Sequence, residues 1–564
     1  MPLTRLTVAL NTNRNTKTVL LLPSTSPADP TSGPTSIHAQ VLKSAQTKLR
    51  LKVKKPNAPR FFVARTGAEL LAPDDWARVF HDDAFLLISA GEDFVGKKEA
   101  PAADANPDAT IAVLARAADV DTAALTQLRV TATSLPGIVQ AAGQPDLHPG
   151  NKFPIGAVFV SKGWIHPPLI GGDIGCGMAW YKTTLSRSQV DGEKGKKVAE
   201  QLRGLEGPWR EQAEREYWMG EGNSAGEEWD RSLGTIGAGN HFAEIQVVEK
   251  ADEELELKEG EVLLLVHSGS RGYGGDILKR YAADGHNSLK EGEEVTNAYL
   301  EEHDRACRWA KANRDLIALR FFDVLEPGGA WSVGSDVQQS VVEGIRKHVQ
   351  TRKVVDIWHN NVQRMEWPPK TPNDAPSLSG TTTAASSLSL SSSPESQQYA
   401  YIHRKGAAPT LDPDTFNPLA ILPLPGSRAT PTVILAPTFS PSNAHGATNA
   451  LSLAHGAGRA MSRAKALQSL CNKYKGDTEG LLKPGKVAAS AAAAAGTEGD
   501  QGVGKDAEKG AGTWVVCEEK QLVWEEAPEA YKDVWAVAGD LIGAGAAEIR
   551  GWCAPRISYK VRNT

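Results

Sequence analysis

Apolar and polar residues alternate at the start of the chain, and Leu6-Thr7-Val8-Ala9-Leu10 reads as a half-buried strand. The pattern predicts strands at Arg5–Asn11 and Thr18–Leu22, with Asn-rich turn residues between them. Helical spacing follows from about Ser36 to Leu51, its apolar face carried by Ile37, Val41, Leu42 and Leu49. Short strands are expected at Arg60–Ala64 and Ala84–Ser89. Farther on, Ile155–Val160 and Trp164–Ile170 read as strands, and Val262–Val266 is a buried-strand run capped by His267. Residues 295–325 and 338–366 carry helical spacing, which would place His359 on a helix or at its start. Residues 187–229 are highly charged with helical spacing, the pattern of a solvated face. Leu135-Pro136-Gly137 and Gln144–Gly150 read as loops.

The order β-β-α-β-β over residues 1–97 resembles a ubiquitin-like β-grasp module, a kind that usually mediates protein contacts, so a protein partner is expected there. Residues 98–109 form a linker, and from 110 to 564 the composition is that of a packed enzyme. Two stretches interrupt it and are expected to be disordered: 368–398, rich in Ser, Thr and Pro, and 475–512, rich in Ala, Gly, Lys and Glu. The fold class expected is α+β, a catalytic domain of mixed sheets with surrounding helices behind a small module.

Composition narrows the function. A net charge of −5 over 564 residues argues against holding nucleic acid by bulk charge and leaves room only for a local basic groove. Five widely spaced cysteines form no disulfide framework and fit a reducing compartment. No apolar run approaches the roughly 18 residues that span a bilayer. The first acidic residue is Asp29, after Arg5, Arg14 and Lys17, but the alternation there favours a strand over a mitochondrial presequence. An intracellular site, cytoplasmic or nuclear, is expected, with the mitochondrion ranked below it.

The chemistry concentrates in short Gly-rich stretches. Gly171-Gly172-Asp173-Ile174-Gly175-Cys176-Gly177-Met178 offers a carboxylate and a thiol three positions apart in a turn that glycines let approach a ligand closely. Asn240-His241, His267 and His359 follow, each in a short polar or Gly-containing setting. One Asp, one Cys and three His make a metal-site inventory in which a thiolate can bridge two ions. The glycines of Leu233–Gln246 give neither a G-x-G-x-x-G nor a G-K-[ST] order, so Rossmann and Walker readings fail, although backbone N–H groups there could still cradle a nucleotide with Asn240 and Glu244. His148, between Leu147 and Pro149, stays outside the site as a supporting residue. Three basic motifs, His403-Arg404-Lys405-Gly406-Ala407, Pro425-Gly426-Ser427-Arg428 and His455-Gly456-Ala457-Gly458-Arg459, suit phosphate oxygens.

Together GGDIGCGM, GNHFAEIQ, HSGSRGYG, WHNN, HRKGA, PGSR, HGAGRAMSRAKA and EEAPEAYKDV resemble the RtcB family of GTP-dependent, metal-dependent RNA ligases over roughly residues 110 to 564. The resemblance implies a dinuclear site in which Cys176 bridges two Mn²⁺ ions, one also held by Asp173 and His241, the other by His267 and His359. It implies His455 as the nucleophile that is guanylylated by GTP. Guanylate contacts would come from Asn240, His241, Phe242, Ala243 and Glu244, from His359 and Asn360, and from Pro425, Gly426, Ser427, Arg428 and Thr432. Gly456, Ala457, Gly458 and Lys560 would complete the pocket. The partner it implies is RNA with a 3′-phosphate or 2′,3′-cyclic-phosphate end and a 5′-hydroxyl end. Arg271, Arg404 and Lys405 are expected to hold RNA phosphates, from residue type and loop setting.

Three positions depart from the family's pattern. Ala429 stands where Gly is usual and Thr432 where a guanine-contacting Ser is usual, and Leu453-Ala454 precedes His455 where a Ser is common. Ala429 resists a positive φ, which leaves base preference less secure than ligation. Two other classes compete: an end-capping enzyme or phosphodiesterase on the same ions, and a non-catalytic RNA-repair scaffold.

Overall fold

The computed structural model describes residues 3–23, 36–53, 58–64, 67–73, 75–76, 84–95, 106, 108–282, 287–328, 338–369, 399–413, 415–478, 482–483 and 512–561. Most of the expected linker and nearly all of both expected insertions lie outside them. The chain divides into two compact units, Met1–Ala105 and Asn106–Thr564.

In the first unit, strands Leu3–Leu10, Asn13–Pro23, Arg60–Val63 and Ala84–Ser89 form one sheet, with Leu3–Leu10 and Ala84–Ser89 parallel at its centre. The helix Ile37–Lys48 begins where the Ser36 side chain accepts the Ala39 N–H, satisfying one orphan donor of the first turn. Its buried Ile37, Val41 and Ala45, with Leu49 beyond it, pack on Leu6, Val8, Phe61, Trp76 and Ile88.

The second unit is built on an eight-stranded sheet. The run of neighbours is Lys353–Trp358, Gly177–Ser186, Glu261–Ser268, Phe242–Ala251, Ala547–Tyr559, Thr432–Pro437 and Leu422–Pro425, with Trp514–Val516 also paired to Ala547–Tyr559. A five-stranded sheet runs Asn360–Glu366, Tyr399–Lys405, Ile155–Ser161, Ile138–His148, Thr110–Val113. The continuous apolar run Val262–Val266 follows from burial on both faces. Val262, Leu264 and Val266 share a core with Ala306, Trp309 and Leu316 of the long helix Glu294–Leu325, whereas Leu263 and Leu265 share one with Val158, Val160 and Ile402 of the other sheet.

Several expectations are corrected. The helical reading of 338–366 holds only for Gln339–Thr351; Lys353–Trp358 and Asn360–Glu366 are strands, and His359 sits at the corner between them. Val355 and Ile357 are buried at a spacing of two, the strand period, which the helical reading overlooked. Gln144–His148 belongs to the strand Ile138–His148 rather than to a loop, and Pro145 is tolerated because the ladder slips between Gly143 and His148. Strand structure at Trp164 ends after Ile165, since Pro167 and Pro168 lack N–H donors and form a short 3₁₀ turn with Leu169. The charged stretch 187–229 is not simply solvated: Arg215 and Trp218 are buried, and Trp218 donates to Ala312 O at 2.9 Å.

Candidate metal centre and nucleophile

Strand register gathers the donors. Gly177 pairs with both Trp358 and Ser268, and His267 pairs with Phe242, so Cys176, His359, His267 and His241 all fall at one end of the eight-stranded sheet. The His359 N–H donates to Cys176 O at 2.8 Å, and the Gly175 N–H to Asn360 O at 2.9 Å, locking the two corners together. The long helix clamps the same region with buried polar groups. Arg314 Nη1 donates to Gly175 O at 3.0 Å and Ser268 O at 2.9 Å, and its Nε to Asp356 Oδ1 at 2.8 Å. Asn313 Nδ2 donates to Thr235 O, Ser268 Oγ and Gly269 O, while its Oδ1 accepts the Gly234 N–H at 2.7 Å.

The donor atoms are crowded. Cys176 Sγ lies 3.2 Å from His241 Nε2, 3.4 Å from His267 Nε2 and 3.3 Å from His359 Nε2. His267 Nε2 and His359 Nε2 are 3.2 Å apart, and Asp173 Oδ2 is 2.7 Å from His241 Nε2. Two overlapping triads result, Cys176–His267–His359 and Asp173–Cys176–His241, sharing the sulfur, each with its donor atoms within 4.8 Å of one another. His241 Nδ1 faces Ile236 O at 3.1 Å, so that nitrogen carries the proton and Nε2 presents its lone pair inward. Burial, reinforced by neighbouring imidazoles, holds His267 and His359 well below the ordinary imidazole range. Burial and Asp173 push the Cys176 thiol well above its usual range. Burial opposes ionisation of Asp173, but His241 and Arg271 outweigh it and keep the carboxyl below its usual value. Three imidazoles, a thiol and a carboxylate converge, and the buried Asp173 Oδ1 atom makes no hydrogen bond. This set fits divalent cations, which would supply the missing positive charge and deprotonate the thiol.

Beside it stands His455, whose ring centroid is 4.7 Å from that of His359. His455 Nδ1 lies 2.7 Å from Asp146 Oδ2, which fixes the proton on Nδ1 and leaves the Nε2 lone pair free. The close approach of Asp146 explains one glycine of this motif: a Cβ on Gly458 (φ +70°) would come within 2.4 Å of Asp146 O. Asp146 is the residue that sequence reading missed, since the stretch Gln144–Gly150 drew attention to His148 instead. His148 bonds through Nδ1 to Asp146 O at 2.8 Å, and burial pushes its pKa down to about 4. Arg314 and Asn313 were also missed, although two polar residues amid the apolar heart of a long helical pattern were a usable signal.

The nucleotide residues expected from the resemblance fall into two groups. Phe242, Glu244, Thr432 and Lys560 are buried along adjacent strands: Gln246 Nε2 donates to Glu244 Oε1 at 2.8 Å and Thr432 Oγ1 at 2.7 Å, and Lys560 Nζ lies over the Phe242 ring. Ala243 is buried beside them, and the Ala457 N–H donates to Pro425 O at 2.9 Å, joining the His455–Gly458 motif to the Pro425–Arg428 loop. Asn240, by contrast, is exposed. The Asn360 side chain is already engaged, with Nδ2 donating to Asp173 O and Oδ1 accepting the Gly406 N–H. Ala429 adopts φ +62°, the left-handed conformation that the usual Gly would take without strain. Ser427 Oγ donates to Glu526 O, and the buried Glu526 carboxylate gathers Arg459 at 3.0 Å, Arg463 at 3.3 Å, Lys560 at 3.3 Å and the Tyr531 hydroxyl.

The phosphate-holding role expected of Arg404 does not survive. Its guanidinium is buried and bonded to Ser452 Oγ, Gln363 Oε1 and Leu451 O, so it braces the strand that leads to His455. Arg271 and Lys405 are only half-buried and retain access.

A family model described as tRNA-splicing ligase RtcB matches residues 127–216 and 209–481. An RNA-splicing ligase RtcB2 of Escherichia coli is 32% identical over 435 residues, 76% of this chain and 89% of the relative. A tRNA-splicing ligase RtcB of Pyrobaculum aerophilum is 27% identical over 309 residues, 42% of this chain and 64% of the relative. An RNA-splicing ligase RtcB homolog 1 of Entamoeba dispar is 28% identical over 201 residues, 27% of this chain and 38% of the relative.

Proposed function

The chain belongs to the RtcB family, and from that premise we propose that it is a GTP-dependent RNA ligase joining a 3′-phosphate or 2′,3′-cyclic-phosphate end to a 5′-hydroxyl end. The observation that carries the reading is the Asp146–His455 pair set against the five-donor cluster at His359. Asp173, Cys176 and His241 would hold one Mn²⁺ and Cys176, His267 and His359 the other. When bound, the ions supply Lewis-acid neutralisation of phosphoryl charge. Zn²⁺ would bind such a mixed donor set more tightly, so manganese is set by availability rather than by affinity.

His455 Nε2 attacks the α-phosphorus of GTP, forming a P–N bond as the bond to pyrophosphate breaks. Asp146 keeps the imidazole in the required tautomer and offsets the charge that the ring gains. An oxygen of the RNA 3′-phosphate then displaces His455, taking GMP as an anhydride. The 5′-hydroxyl attacks the activated 3′-phosphorus, loses its proton and expels GMP, closing the phosphodiester. A cyclic end would first be hydrolysed to the 3′-phosphate. Phe242, Glu244, Thr432, Lys560, the Pro425–Arg428 loop and the Gly456–Gly458 backbone form the guanylate pocket, and Arg271 and Lys405 hold RNA phosphates. We read the first unit as a β-grasp module on the strand order described above.

Incubation with Mn²⁺ and α-³²P-GTP or ATP, followed by denaturing gel, tests the reading. An acid-labile label from GTP is expected, absent in His455→Ala and Cys176→Ala and slowed about 10³–10⁴-fold in Asp146→Asn, by the precedent of other His–Asp pairs. Label from ATP alone would overturn the guanine assignment and implicate Ala429 and Thr432. No label with metal bound would overturn the ligase reading and favour a phosphodiesterase or scaffold.

A further inference from the structure

The first unit carries a charge pattern that the chemistry above does not use. From residue 30 to residue 68 the sequence has eight Lys or Arg and no Asp or Glu, in a chain whose overall charge is −5. The helix Ile37–Lys48 turns Ile37, Val41 and Ala45 into the core, leaving Lys43 exposed on its other side and Lys48 exposed at its C-terminal end. Past the helix, Leu49 is buried and Leu51 and Val53 are half-buried, while the alternate residues Arg50 and Lys52 are exposed. Arg50 takes φ +57° as the chain leaves the helix, and the Leu51 N–H returns to Ala45 O at 3.1 Å. Lys48 also complements the helix C-terminus, but Arg50 and Lys52 lie beyond that end and gain nothing from it. By contrast, the half-buried Arg60 is bound by Glu69 and Asp93.

We propose that Lys43, Lys48, Arg50 and Lys52 form a sequence-independent docking surface for the phosphate backbone of RNA, an inference that rests on the RNA-ligase reading for its choice of polyanion. Lysine and arginine side chains release counterions from a phosphate chain whatever its bases. Among the described residues of this unit the exposed large apolar ones are Val19, Leu71 and Val95, all outside 37–53, so base stacking contributes little there and readout is by charge. A membrane surface fits less well, because the apolar face that an interfacial helix would insert is already spent in the core.

The test uses the full chain and a 30-nucleotide single-stranded RNA, with binding read by fluorescence anisotropy from 50 to 200 mM KCl. Replacing Lys43, Lys48, Arg50 and Lys52 together by Gln is expected to weaken binding about 10-fold or more at low salt. The log–log salt slope should fall by about 3, at roughly 0.7 for each phosphate that is no longer neutralised. A charge-keeping variant (Lys43→Arg, Lys48→Arg, Lys52→Arg) should retain parental binding. A control with Lys194, Lys197, Lys258 and Lys347, all exposed in the second unit, replaced by Gln should do the same. Unchanged affinity and slope in the first variant overturns the proposal, as does equal weakening in the control, which would make net charge the cause. Loss of binding to phosphatidylserine vesicles, or to an acidic polypeptide such as polyglutamate, with RNA binding intact would reassign the surface to that partner. Guanylylation from GTP, measured on the same samples, should be unaffected by the Gln variant. Its absence from the parent would instead count against the ligase reading, which anisotropy does not test.

Discussion

Two buried polar constellations lie in the second unit, and they are built on opposite terms. Around Glu526 one carboxylate is met by Arg459, Arg463, Lys560 and a tyrosine hydroxyl, so its charge is answered from within the chain. Around Cys176 five electron-pair donors converge, none of them a lysine or arginine, and Arg271 offsets only the charge of Asp173. A buried group left without its complement is costly, so the first arrangement can stand as structure while the second calls for something from outside. The difference separates a clamp from a binding site without appeal to sequence similarity.

The comparison breaks most sharply at the shared sulfur. Cys176→Ala removes the donor common to both triads, and both ions and all ligation should be lost, read by metal analysis and product gels, with the fold retained. Residual activity with two ions bound would refute the bridging role. Glu526→Ala should do the reverse, destabilising the chain by about 3–5 kcal/mol because buried cations lose their partner, a loss that denaturant titration would measure. If its stability matched the parent, the clamp reading would be wrong.

The pH response sharpens the contrast between two buried glutamates. Burial pushes Glu244 up to about 8 from an ordinary 4.5, so its contribution is complete below about 4.5 and is lost as pH rises through about 8. Burial also opposes ionisation of Glu526, but Lys560 and Arg459 outweigh it and hold the carboxyl below 4.5. Its contribution is therefore present above about 4.5 and lost as pH falls through the folded value. Glu244→Gln should flatten the alkaline limb of the stability profile and Glu526→Gln the acid limb; the opposite assignment would contradict the electrostatics. The smallest effect expected is at Ala429, where Ala429→Gly relieves a left-handed backbone and should add about 1 kcal/mol in thermal unfolding. A decrease there would show that the methyl group packs favourably enough to outweigh the strain.

Much of the outline was legible in the chain. The strand and helix positions of the first unit, the long helix near 295–325 and the inward run Val262–Val266 follow from apolar spacing, which local burial enforces. The reading failed where two periods competed, at 352–366, and where a proline hid a strand, at Gln144–His148. Asp146 was lost in that second failure, and Arg404 was misjudged because a basic side chain in a short Gly-containing motif looks the same whether it faces solvent or a core.

The sequence alone determined which donors exist: an Asp and a Cys spaced for one turn, histidines at the ends of apolar runs, and glycine-flanked basic motifs. Residue chemistry and short-range backbone freedom are local properties, so they can be read locally. Only the tertiary structure decided which donors meet. Register across four strands brings Cys176, His241, His267 and His359 to one sheet end, the long helix ties their turns through Asn313 and Arg314, and Asp146 reaches His455 from 309 positions away. Those pairings depend on long-range packing, which no stretch of sequence contains by itself.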